Sequence, residues 1–181
     1  MAAITSGEIL FKRSVAAAAG NTTAQADPNA SLGDQVSTTQ WAGGSINDLF
    51  DDVTGAENAA SDVEYRCIFV HNTNAANVLE NAVVYLSAET AGGASIAVGA
   101  DPTAASAVGS ASAQAVTIAD ENTAPAGVTF SSPTTAGAGV ALGNIGVGQV
   151  KAFWIRRTAA NSSALSNDGV TIAVTGDTGS L

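Results

Sequence analysis

The chain has 181 residues, 46% hydrophobic but only 5% aromatic and 12% charged, with 19 Gly, one Cys, one His and a formal net charge of −10. That balance offers no basic stripe to displace counterions from nucleic acid, no apolar run near the eighteen or so residues of a spanning helix, and no internal disulfide, since Cys67 is alone. Its length suits one domain with an appended segment, and the scarcity of strong helix formers beside abundant Gly, Ala, Ser, Thr and Asn points to β structure.

Residues 1–44 are thin in large apolar groups. A strand-like piece over 8–15, carrying Phe11, precedes an Ala-rich stretch and a turn at 27–33 containing Asp27-Pro28. Such a segment cannot build a core of its own. Residues 1–62 are therefore expected as an N-terminal arm, ordered on its own domain or on a neighbouring subunit. The first eight residues lack a basic n-region and a long apolar h-region, so no secretory signal is expected. The sequons at Asn21, Asn29 and Asn161 then read as chance, and the protein is expected to accumulate in a cytoplasm. Within 46–53 the sequence predicts one short helix. Ser45 would cap it, Asp48 would serve as the capping acid, and Ile46, Leu49, Phe50 and Val53 fall at helical spacing. Residues 55–61 read as a linker.

The remainder, 63–181, is expected as a β-sandwich domain. Strands are predicted over 64–72, 78–88, 95–98, 115–119, 128–131, 148–158 and 170–175, with turns at 74–77, 92–93 and 167–169 and a loop of small residues over 99–113. This pattern, without intervening helices, argues for an all-β antiparallel sandwich of immunoglobulin-like arrangement, with a jelly roll as the alternative. The central strand is placed at 148–158, which holds Val150, Phe153, Trp154 and Ile155 together with Lys151, Arg156 and Arg157, three of the six basic residues. Apolar groups on both of its faces suit a strand held between two layers.

Chemistry is sparse. His71 has no Gly-x-Ser-x-Gly elbow to serve, and His71 and Cys67, four apart on one strand, converge poorly on a metal. Cys67 reads as an inert, reduced packing residue. The pairs Asp51/Asp52 and Asp120/Glu121 lack a cleft lined by sugar-stacking aromatics. Asp101, Asp168 and Asp177 sit in turns without an EF-hand calcium pattern. The glycines of 137–139 and 143–148 do not match a phosphate loop and read as hairpin glycines. The reading is non-enzymatic, with no catalytic, cofactor-binding or metal residues. Arg156 and Arg157, adjacent on a strand, must point to opposite faces: one to solvent or a partner subunit, the other to a nearby acid. Together with Phe11 in the arm and Trp41, the one tryptophan outside the predicted strands, they are the candidate partner contacts.

Five stretches carry a resemblance: Ile46-Asn-Asp-Leu-Phe-Asp-Asp-Val-Thr-Gly-Ala-Glu57, Asp62-Val-Glu-Tyr-Arg-Cys-Ile-Phe-Val-His-Asn72, Thr117-Ile-Ala-Asp-Glu-Asn-Thr-Ala-Pro-Ala-Gly-Val-Thr-Phe-Ser131, Leu142-Gly-Asn-Ile-Gly-Val-Gly-Gln-Val-Lys-Ala-Phe-Trp-Ile-Arg-Arg157 and Asn167-Asp-Gly-Val-Thr-Ile-Ala-Val-Thr-Gly-Asp177. In this order they resemble tailed-bacteriophage virion structural proteins, and the likeness runs from about Asp27 to Asp177. It implies a head-decoration or auxiliary capsid protein, made in the host cytoplasm and carried in the virion, with a neck or tail component as the alternative. Its partners would be the major capsid protein or other virion proteins, as a homo-oligomer or bound to a lattice, with no nucleic acid and no membrane. The arm over 1–44 would order on assembly and add a strand to a neighbour's sheet edge. A rival reading, a module binding host-surface glycans, needs exposed aromatics, and Trp41 is its one candidate.

Overall fold

The computed structural model describes residues 3–17, 22–163, 165 and 167–180. In chain order its strands are β1 (Ile9–Val15), β2 (Gln35–Gln40), β3 (Val63–Asn72), β4 (Asn77–Glu89), β5 (Ser95–Ala100), β6 (Ser106–Ala107), β7 (Val140–Ile145), β8 (Gln149–Thr158) and β9 (Val170–Ser180), with one α-helix, α1 (Gly55–Ala60), between β2 and β3. They form two antiparallel sheets, an all-β sandwich. The larger runs β2-β1-β3-β8-β5 with β6 also beside β8, and the smaller runs β7-β4-β9. The predicted central strand is β8, paired with β3 from Val63↔Thr158 to His71↔Val150.

Side chains alternate across a strand, so this central pair has two apolar faces. Ile68, Val70, Phe153 and Ile155 point inward and join Leu79, Val84, Leu86, Leu142, Ile145 and Ile172 of the smaller sheet in one core cluster. Tyr65, Cys67, Phe69, Val150, Ala152 and Trp154 point outward into a second cluster with Val36, Ala115 and Ile118. The outer cover comes mostly from residues 101–135, which are irregular apart from β6. It lies close to the backbone beneath it. A Cβ on Gly99 would stand 2.5 Å from Val128 Cγ1, and one on Gly33, held at φ +96°, would stand 1.8 Å from the Val116 carbonyl oxygen.

Four expectations change. First, 46–53 is not helical. Ile46 is 81% exposed while Leu49 is buried, so the four apolar residues share no face. The carbonyls of Asp48 and Asp51 accept N–H groups from Arg13 and Arg157, acceptors a helix would have used internally. The helix lies one step on, where Thr54 and Glu57 form a true capping box, Thr-x-x-Glu. Second, the arm is part of the domain. β1 is hydrogen-bonded between β2 and β3, so residues 9–15 and 35–40 build the larger sheet and the boundary at 62 divides one body. Third, 115–119 and 128–131 make only isolated bridges, at Asp34↔Ala115 and Val98↔Ser131; their apolar residues pack onto the outer face instead of entering a ladder. Fourth, β2, β7 and the two-residue β6, which falls within the loop expected over 99–113, form where the sequence signals no strand. The sequon at Asn21 lies outside the described residues.

Candidate partner-contact site

Arg157 and Glu64 are directly opposite across β8 and β3. Arg157 Nε donates to Glu64 Oε2 at 2.6 Å and its Nη2 also meets that carboxylate. Further along, Nη1 donates to the Asp51 carbonyl and Nη2 lies 3.3 Å from Asp51 Oδ1. Arg66, two residues from Glu64 on the same face, donates Nη2 to Glu121 Oε2 at 2.5 Å and to Asn29 Oδ1 at 2.7 Å. Phe50 completes the cluster, its ring centroid 4.8 Å from the Arg157 guanidinium carbon and 5.0 Å from that of Arg66. Buried charges persist only when paired and hydrogen-bonded, and here the pairing staples three loop segments to the central strands. Burial pushes the Glu64 carboxyl up from its ordinary value, against the pull of Arg157 and Arg66.

Strand parity sends Arg156 the other way. Its guanidinium lies 5.3 Å over the Phe130 ring, which in turn packs on Tyr65, and the residue stays half-buried on the outer side. Phe11 and Trp41 do meet, with ring centroids 5.8 Å apart, and the Trp41 backbone N–H donates to the Phe11 carbonyl. Phe11 also sets its edge against Phe153, 5.9 Å away. Both are half-buried at the margin of the inner core. The four candidates are therefore not one patch: Phe11 and Trp41 form a pair, Arg157 is buried in an ion-pair cluster, and Arg156 lies on the opposite face.

Asp101 and Lys151 are likewise bound internally. Asp101 Oδ2 accepts Trp154 Nε1–H at 2.8 Å and the Val116 N–H at 2.9 Å, while Oδ1 accepts the Thr103 N–H. Lys151 Nζ donates to the carbonyls of Asp101 and Thr103. Burial lowers the Lys151 ammonium pKa, and the Asp101 charge opposes that shift. Cys67 is fully buried and its thiol is pushed well above the ordinary value, first by burial and then by Asp101, so the thiolate chemistry of a reactive cysteine is suppressed. His71 is pushed down to about 4 by burial and by Lys12, which keeps a neutral imidazole at physiological pH. Chemically, this arrangement clamps loops onto a sheet.

Sequence reasoning foresaw neither the Asp101 anchor nor the latch at Phe50. Asp101-Pro102 reads as any turn, and the pairing of residues 53 apart leaves no local signal. No helix among the described residues is long and apolar enough to cross a membrane, and no three of their His, Cys, Asp or Glu side chains gather as metal ligands. No protein-family model, curated protein or solved structure matches this chain.

Proposed function

We propose that the chain is a non-enzymatic structural protein of a tailed-phage particle, decorating or stabilising the capsid through subunit contacts. The observation that carries this reading is the ordered likeness to virion structural proteins, taken with where its stretches meet. Four of them converge on one cluster: 46–57 brings Phe50 and Asp51, 62–72 brings Glu64 and Arg66, 117–131 brings Glu121, and 142–157 brings Arg157. The residues carrying the likeness thus hold loops to a sheet, which is the requirement on a building block. In such a role, affinity accumulates from many weak repeated contacts with the major capsid protein or other virion proteins. Quantitative mass spectrometry of purified particles tests it. The protein is expected in many copies at a fixed ratio to the major capsid protein. A handful per particle would move it to the neck or tail, and absence from the particle would overturn the reading.

A further inference from the structure

An unpaired strand edge is a template for another strand, and proteins normally cover it, shorten it or charge it. Three of the four sheet edges here are managed in that way. Along β2, the Val36 N–H donates to Gln114 Oε1 and the Thr38 N–H to the Thr23 carbonyl. Along β5, Val98 exchanges both backbone bonds with Ser131, at 2.8 and 3.0 Å, and Ser132 Oγ donates to the Ile96 carbonyl. β7 has six residues, with Gly143 at φ +79° inside it and register shifts in its pairing with β4. β9 differs. It has eleven residues, and among the described residues it pairs only with β4. The segment before β1 reaches it through the Ile4 N–H on Thr178 Oγ1, near one end. β9 contains no Lys, Arg or Pro, and its one charge is Asp177.

We propose that β9 pairs antiparallel with β9 of a second copy of this chain, about a two-fold axis at Thr175. A row of backbone N–H and C=O groups is matched along its whole length by another extended strand, and a second copy presents the same bare row. Thr175 is the midpoint of Val170–Ser180, so pairing there uses the whole strand. This register sets Asp177 opposite Ala173 in both directions, so the strand's one charge never faces itself. It also sets Val174, half-buried on the core side, opposite Gly176, which has no side chain of its own to oppose it. The two small sheets would join as β7-β4-β9-β9-β4-β7. Each copy carries a formal charge of −10, so screening by salt promotes the association. The proposal is independent of any role in a particle.

Sedimentation equilibrium of the full chain, at concentrations up to roughly 500 µM, tests it. A monomer–dimer equilibrium that tightens with salt is expected. Ala173→Glu places an acid against Asp177 twice and should weaken the dimer by about tenfold, whereas Ala173→Lys should tighten it. At the exposed axial position, Thr175→Glu and Thr175→Lys should both weaken it, since either charge meets itself. Thermal melts of each variant separate loss of pairing from loss of fold. A monomer at every concentration, or a dimer indifferent to charge at 173 and 175, overturns the proposal.

Discussion

On the inner face of β3 and β8, Ile68, Val70, Phe153 and Ile155 meet the side chains of a second sheet, strand against strand. On the outer face, Cys67, Phe69 and Trp154 are just as deeply covered, but mostly by a chain segment with almost no ladder of its own. The inner cover satisfies its backbone through the ladders of β4, β7 and β9 and rests mainly on apolar contact, with a few bonds at its margins, from Asn72 Nδ2 to the Asn77 and Ile145 carbonyls and from the Ile96 N–H to Glu89 Oε1. The outer cover has to satisfy its backbone piece by piece. Asp101, Lys151 and Gln114 accordingly take or give bonds to 101–118, and the Tyr65 N–H donates to the Glu121 carbonyl. Two dry faces are thus held in different proportions: mainly by ladders and apolar area on one side, mainly by polar anchors on the other. They should fail differently.

The largest effect separating them is expected from Trp154→Ala. The side chain is fully buried and is also a donor to Asp101, so its loss should cost about 3–5 kcal/mol and leave Asp101 short of a donor. Phe153→Ala, one residue along and on the inner face, should cost a similar amount in denaturant melts. The two variants part under limited proteolysis of the folded protein: only Trp154→Ala should open cleavage within 101–131. Equal cutting there in both variants would contradict the division.

A smaller effect belongs to the charged latch at the end of the inner face. Arg157→Met keeps the aliphatic stem but takes away the direct partner of the Glu64 carboxylate, leaving it only Arg66 at 4.0 Å, at a cost of about 3 kcal/mol near neutral pH. Adding Glu64→Gln should recover much of that, because the uncompensated charge goes with it. The sign with pH follows. Without Arg157 the folded-state pKa of Glu64 rises further above its unfolded value, so the deficit is full above that raised pKa and shrinks as pH falls through it. A deficit that is flat with pH, or a double variant no better than Arg157→Met, would remove the latch from the account.

This division also explains what the sequence could and could not reveal. β3 and β8 are legible because bulky groups occupy both faces, the mark of a strand covered twice. Parity alone foretold that Arg156 and Arg157 would part. β2 was missed because Gln35-Val-Ser-Thr-Thr-Gln40 has a single bulky apolar residue; its strand character comes from its neighbours in the sheet. β7 was hidden by Gly143, whose left-handed backbone reads as a turn but sits within the strand. The apolar residues of 115–119 and 128–131 signalled burial correctly and a ladder wrongly. At the candidate site the residue types were readable, but their partners were not. The latch needs Asp51 to find Arg157 and Asn29 to find Arg66, contacts that only the folded chain brings together.

The difference between the two covers is tested most directly by native-state hydrogen exchange on Asp101→Asn. Both carboxylate oxygens act as acceptors, for Thr103 on one side and for Val116 and Trp154 on the other, and an amide offers only one acceptor oxygen. The variant should lose about 1–3 kcal/mol of protection, and the loss should be confined to amides of the outer cover around Val116 and Ile118. Amides of β4 and β9 should keep theirs. Protection falling equally in both covers would show a single cooperative body and contradict the account.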